Sequence, residues 1–303
     1  NGKTKDFQSL VEVSITSRRS INKKGLIMKY SDFLILCKKY LCVDGITILK
    51  TINDNPYRFV GDYRIFSPKH KLVQCFSHSI EIKMGKLLEQ YLKNCLEELG
   101  AVYLNRRTEN NKYEFDQFFK YNDCIVLIEQ KIRDDHDSTK KTGQINNYLN
   151  KKILLSEEYP TNNFFSFMWF IDDNFTKNKN FYQSNLKNGE LVYGKELSSY
   201  LNQIFKTDTL WIWGDLLNFL ANYRNEVNNE INFNCEDNDT DWSIIENKDV
   251  NHLFDNKMII EQILPILSPN KTIFIKIKEE LEKTRLNRYK KATIKKIEEY
   301  LEK

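Results

Sequence analysis

Proline and glycine are scarce in this sequence, with five and ten copies among 303 residues. Disordered and fibrous chains use far more of both, so a folded protein is expected. Histidine is scarcer still: His70, His78, His136 and His252 are the four copies, and none has zinc-finger spacing. The six cysteines (Cys37, Cys42, Cys75, Cys95, Cys124 and Cys235) form no C-x-x-C pair. Several sit inside apolar runs, as small buried hydrophobes do. A reduced, cytoplasmic protein without structural zinc is the expectation. No apolar run reaches about 18 residues, so no membrane span is expected. The polar start, NGKTKDFQSL, has no signal-peptide core.

A hydrophobic fraction of 41% is enough for a sizeable core, and the length suits two domains or one large α/β domain with an added subdomain. The net charge of +4 excludes little, but its distribution is uneven. Residues 1–30 hold seven Lys/Arg against two acids, and residues 271–303 hold eleven against six. Residues 225–250 hold eight acids against one lysine. Basic ends suit a DNA backbone, although a charge run is more often a solvated face.

Hydrophobic periodicity sharpens after residue 78. Met84, Leu88, Tyr91, Cys95 and Leu99 recur at helical spacing, and Gly100 supplies a stop, which predicts a helix over 79–99. Residues 101–104, 112–119 and 124–131 read as strands, the last two around the turn Tyr121-Asn122-Asp123. The run CIVLI is almost wholly apolar, as in a strand buried on both faces. A polar loop, DDHDST, precedes a helix over 140–155. Then FFSFMWFI reads as another buried strand, 191–193 as a short one, and 195–205 and 210–225 as helices. Its aromatic residues, with Trp211 and Trp213, read as core. Upstream, 31–42 reads as a helix and 57–66 as containing a strand. Downstream, 257–264 and a long basic stretch, 271–301, read as helices. The fold class expected is α/β (α+β), a central mixed sheet flanked by helices. Three regions are expected: 1–78, possibly for DNA recognition; 79–205, a catalytic core; and 206–303, mostly helical, for DNA binding or dimerisation.

The chemistry concentrates between Lys112 and Tyr148. Glu129 and Lys131 project from the same side at the end of a buried strand, where charges are costly unless paired or used. With a turn over 121–124, Lys120 faces Ile125 and the register sets Asp116 opposite Glu129, about 4.5–5.5 Å away at Cβ. Two carboxylates that close repel unless a cation lies between them. A hard divalent metal such as Mg²⁺ is the natural occupant. Such a site suits phosphodiester hydrolysis, with Lys131 orienting a water or stabilising developing charge. Glu89, at the edge of the preceding helix stripe, is a candidate third acid, with Glu81 its competitor and Gly85 leaving room for another backbone. Glu114 rivals Asp116 on the same strand face. Gln144 and Tyr148 share a helix face at i, i+4 and could reach the site or a phosphate. Arg133, Lys140 and Lys141 flank it as candidate phosphate contacts. His136, between Asp135 and Asp137, reads as a loop residue rather than a metal ligand, and Asp172-Asp173 as solubilising acids at a strand end.

These residues carry a resemblance. Asp116, with Glu129-Gln130-Lys131 starting thirteen positions later, and the preceding helix with Gly85 and Glu89 resemble the PD-(D/E)xK nuclease superfamily. Gln144-Ile145-Asn146-Asn147-Tyr148 is similar to a Q-h-x-x-Y motif in some of its branches. The strings IEQKIRDDHDSTKKTGQ (128–144) and VYGKEL (192–197) resemble type II restriction endonucleases. Phe115 stands where the family's proline would be. The resemblance implies Mg²⁺-dependent, sequence-specific cleavage of double-stranded DNA, with Mn²⁺ able to substitute, and commonly a homodimer. It makes Asp116, Glu129 and Glu89 metal ligands, Lys131 the catalytic lysine and Gln144 an accessory. The alternatives are a repair or recombination nuclease of the same superfamily, and an inactive DNA-binding protein on that fold.

Overall fold

The computed structural model describes residues 28–61, 65–108, 112–160, 163–226, 231–236 and 240–302. The basic segment 1–27 lies outside them. The chain divides into two compact units. One is made of residues 1–40 and 84–227, the other of residues 41–83 and 228–303.

Three helices precede the sheet: α1 (Tyr30–Leu41), α2 (Gly45–Asp54) and α3 (Pro68–Glu98). The second half of α3 belongs to the sheet unit. It buries Leu87, Leu88, Tyr91, Leu92, Cys95 and Leu96, each worth roughly 1.5–3 kcal/mol when fully buried. The helix ends at Gly100, whose φ of +94° suits glycine. There the Gly100 N–H donates to the Glu97 carbonyl and the Ala101 N–H to the Leu96 carbonyl, the paired bonds of a Schellman stop.

The sheet has five strands in the order β1 (Val102–Tyr103), β2 (Gln117–Tyr121), β3 (Cys124–Lys131), β4 (Phe164–Phe170) and β5 (Leu191–Tyr193). β1, β2 and β3 are antiparallel, while β3, β4 and β5 are parallel. This is the mixed sheet expected, and the apolar β3 is its middle strand, with residues 125–130 all buried. The β2–β3 turn is tight because Tyr121 pairs with Cys124 and Asn122 accepts a φ of +49°. The crossover to β4 is α4 (Ser138–Glu158), started by Asp137, whose side chain accepts the Lys140 N–H at 2.8 Å. The helices α5 (Lys179–Asn185), α6 (Glu196–Phe205) and α7 (Leu210–Glu226) complete this unit. One core packs α4 against the sheet through Ile145, Tyr148 and Leu155 with Leu127, Met168 and Phe170.

The other unit is helical. α2 packs with short 3₁₀ turns at Trp242–Ile244 and Asn247–Asp249 and with α8 (Lys257–Gln262), α9 (Leu264–Leu267), α10 (Thr272–Glu282) and α11 (Arg288–Leu301). Two expectations change here. The long helix over 271–301 is broken between Glu282 and Arg288, where the Asn287 side chain caps a new helix by accepting the Lys290 N–H. The region 57–66 shows a 3₁₀ turn at Pro56–Arg58 and no strand among its described residues; 62–64 lie outside them. All six cysteines are free. Among the described residues, no helix is long and apolar enough to cross a membrane.

Candidate active site

Register places the first two acids. Pairs from Gln117↔Ile128 to Lys120↔Ile125 hold β2 against β3, and one further step sets Asp116 across from Glu129. Asp116 lies just before β2 and is anchored there, because its Oδ2 accepts the Gln130 N–H at 2.8 Å. The expected Lys120–Ile125 pairing is therefore the pairing seen.

Lys131 draws the site together. Its Nζ donates to Glu129 Oε1 at 2.7 Å and to the Gln130 carbonyl at 3.0 Å, and lies 3.4 Å from Asp116 Oδ2. Three hard oxygens thus converge on one positive point at the end of β3. The other carboxylate oxygen, Glu129 Oε2, accepts from Lys151 Nζ at 2.6 Å. Glu129 is only 2% exposed, so it sits nearly dry between two ammonium groups.

The charges follow from that arrangement. Burial alone would push Glu129 up, but Lys131 and Lys151 outweigh it and hold the carboxyl below the usual glutamate range. Asp116 is raised instead: burial dominates, Glu129 adds repulsion, and Lys131 compensates only in part. Burial disfavours the Lys131 ammonium, but Glu129 and Asp116 overcome it and push the group up to about 12. Its two acidic neighbours favour the ammonium form of Lys131.

Glu89 stands at the rim. Its carboxylate accepts from Arg106 Nη2 at 2.6 Å, and its value is raised by burial first and by Asp116 second. Arg106 Nε also meets Glu114 Oε1 at 2.9 Å, and Arg107 Nη2 meets Glu114 Oε2 at 3.2 Å. Glu114 is therefore engaged by two arginines, while Asp116 faces Lys131. Lys86, Glu89, Lys93, Arg106 and Asp116 line one polar cleft. Glu81 is exposed and groups with the helical unit. A Cβ at Gly85 would meet nothing within 4 Å, so no backbone approaches there.

The remaining candidates are placed as follows. Gln144 accepts the Tyr182 hydroxyl proton at 2.9 Å, and no bond joins it to the acids. Tyr148 is fully buried in the core beneath α4, which leaves it no face for a phosphate. Arg133 is exposed, lies over the Phe175 ring and is 3.6 Å from Asp172. Lys140 is exposed, and Lys141 donates to Asn178 Oδ1 at 3.2 Å. His136 is held below its usual value by burial and by Lys140.

Two functional-looking groups escaped the sequence reading. Lys151 is one: it shares the buried α4 stripe with Ile145, Tyr148 and Leu155, and a lysine on an apolar stripe was the available signal. Asp134 is the other. It is wholly buried and accepts from the Asn178 N–H, the Asn178 side chain and the Tyr193 hydroxyl, all at 2.9 Å, which ties the end of β3 to β5. Nothing local in DDHDST distinguishes that acid from its neighbours.

Among the described residues, no three His, Cys, Asp or Glu side chains form a metal cluster. The oxygens that do converge are two carboxylates and a carbonyl. That donor set is hard and incomplete, which fits a cation that keeps several waters.

In a comparison with known families, residues 102–223 match the family described as type II restriction endonuclease, HinfI. The matched segment begins at β1, ends within α7 and contains Asp116, Glu129, Lys131 and Lys151. No curated protein matches the chain.

Proposed function

We propose that this chain, a type II restriction endonuclease and hence a site-specific deoxyribonuclease by its residues 102–223, hydrolyses both strands of double-stranded DNA at the Asp116–Glu129–Lys131 site with Mg²⁺. The observation that carries this reading is the convergence of Asp116 Oδ2, Glu129 Oε1 and the Gln130 carbonyl on the Lys131 ammonium.

Asp116 and Glu129 would hold the divalent cation, Mn²⁺ substituting for Mg²⁺. Such a cation supplies charge that polarises a phosphoryl oxygen and makes a water more acidic. Lys131 keeps its proton, as its neighbours require, and offers it as a donor to the attacking water or to the phosphate oxygens as negative charge builds on them. The water oxygen bonds to phosphorus and gives up a proton to solvent, the bridging P–O bond to one nucleotide breaks, and the departing oxygen takes up a proton from solvent. No covalent enzyme intermediate is needed. Lys86, Lys93 and Arg106 line the cleft beside the acids, where a phosphodiester backbone would run. Glu89 sits at that rim as an auxiliary acid. Arg133 and Lys140, both exposed, are backbone contacts beyond it. Cutting both strands calls for two such sites, which a homodimer provides.

The test is Asp116→Ala, Glu129→Ala and Lys131→Ala, assayed for cleavage in Mg²⁺ and for DNA binding in Ca²⁺. Each is expected to lose at least about 1,000-fold in cleavage rate while binding stays within several-fold. Full cleavage by any one variant removes that residue from the site.

A further inference from the structure

Lys151 is the only lysine that is buried among the described residues, with 3% of its surface exposed. It stands mid-way along α4, on the face that Ile145, Tyr148 and Leu155 bury. Stability is a poor reason for an ammonium there. Ion pairs this deep are often matched or bettered by apolar residues of the same volume. The geometry suggests a different reason. Of the two Glu129 oxygens, Lys151 bonds Oε2, at 2.6 Å, and Lys131 bonds Oε1, at 2.7 Å. The two ammonium groups divide one carboxylate between them. Oε1 shares its ammonium with Asp116, while Oε2 meets the ammonium that is buried in the core.

We propose that Lys151 is a positioning residue for the metal site: it holds Oε2 of Glu129 so that the carboxylate presents one oxygen rather than two, and its fixed charge keeps cation affinity low. This rests on the reading of Asp116 and Glu129 as cation ligands. The consequence has an unusual sign. A neutral side chain at 151 removes a unit of positive charge close to the cation and frees a second oxygen to chelate it, so the cation binds more tightly. The same change lets the carboxylate rotate, so the cation and the attacking water lose their placement and cleavage slows. Simple loosening of the fold weakens both together.

The experiment titrates the full chain with Mn²⁺ by calorimetry without DNA, and measures plasmid cleavage at saturating Mn²⁺. Parent, Lys151→Met, Lys151→Gln and Asp116→Ala are compared, with circular dichroism melting as the check on folding. Lys151→Met is expected to bind Mn²⁺ at least about 10-fold more tightly and to cleave at least about 100-fold more slowly. Lys151→Gln keeps a donor for Oε2 without the charge, so it binds Mn²⁺ more tightly than the parent but less tightly than Lys151→Met, and loses less cleavage. It also carries the test if the methionine variant does not fold. Unchanged or weaker Mn²⁺ binding in a folded variant overturns the proposal, as does cleavage within about three-fold of the parent. Failure of both variants to fold makes Lys151 a structural counter-ion and overturns it too. Where the parent binds Mn²⁺ and Asp116→Ala does not, such a result sinks the role of Lys151 alone. If the parent itself takes up no Mn²⁺, the reading of the site falls with it.

Discussion

Glu129 holds its charge in a nearly dry place because two ammonium groups face it, one on each oxygen. Removing that charge strands the ammonium of Lys151, which is buried in the core. Breaking one side of a buried pair typically costs about 3–5 kcal/mol. Glu129→Gln is therefore expected to lose about 3 kcal/mol in urea unfolding, and Glu129→Gln with Lys151→Met to regain most of it. A loss below about 1 kcal/mol in the single variant would mean that the ammonium finds water or another acceptor. The pH dependence has a definite sign. Glu129 lies below its ordinary 4.5, so the stability its pairing gives is complete above that pH and drains as the pH falls through the lower folded value. Asp116 is displaced upward from 3.8, so its contribution runs the other way and is lost as the pH rises through its raised value. At this scale, Asp116, Glu129 and Lys131 were readable because strand alternation and a short turn settle which side chains meet. Lys151 was passed over, and Tyr148 was read as able to reach the site or a phosphate. A lysine is taken for surface and a tyrosine for a polar tip, and only the packing of α4 on β3 and β4 reverses both.

The elements are largely set by their ends. Gly100 closes α3 with a φ of +94°, which a Cβ tolerates poorly. Gly85, inside the same helix, has open space where a Cβ would go. The same substitution should thus have opposite effects: Gly100→Ala is expected to destabilise by about 1–2 kcal/mol, and Gly85→Ala to stabilise by about 0.5–1 kcal/mol. Chemical denaturation of the two variants checks this, and a like sign for both would contradict it. Periodicity made α3, α4, β3 and β4 legible, since each buries a continuous stripe or run. It misjudged 271–301, where two amphipathic segments share a register of apolar residues and the break depends on a single capping asparagine, Asn287. The strand expected over 112–119 is continuous only from Gln117; upstream, Glu114 makes an isolated bridge with Arg107, and the Phe115 N–H donates to the Arg106 carbonyl at 2.8 Å.

For the whole molecule, a reading that runs along the chain in consecutive regions meets two units assembled from interleaved segments. Residues 41–83 share a core with 231–302, and that pairing across nearly two hundred positions leaves no local trace. Part of the basic charge at the C-terminal end is spent internally, as Lys278 meets Glu298 at 2.7 Å and Lys283 meets Glu280 at 2.6 Å. A recognition role for the helical unit is a proposal that rests on its sharing one chain with the segment that matches the restriction endonuclease family. The central claim is that Asp116, Glu129 and Lys131 form one hydrolytic site acting at defined DNA sequences. Its most direct measurement is digestion of long, mixed-sequence DNA by the whole chain in Mg²⁺, with the fragment ends sequenced and Lys131→Ala run alongside. The expected result is a discrete set of fragments whose ends share one short sequence, absent with the variant. Degradation inward from DNA ends, or the same fragments from Lys131→Ala, would contradict it.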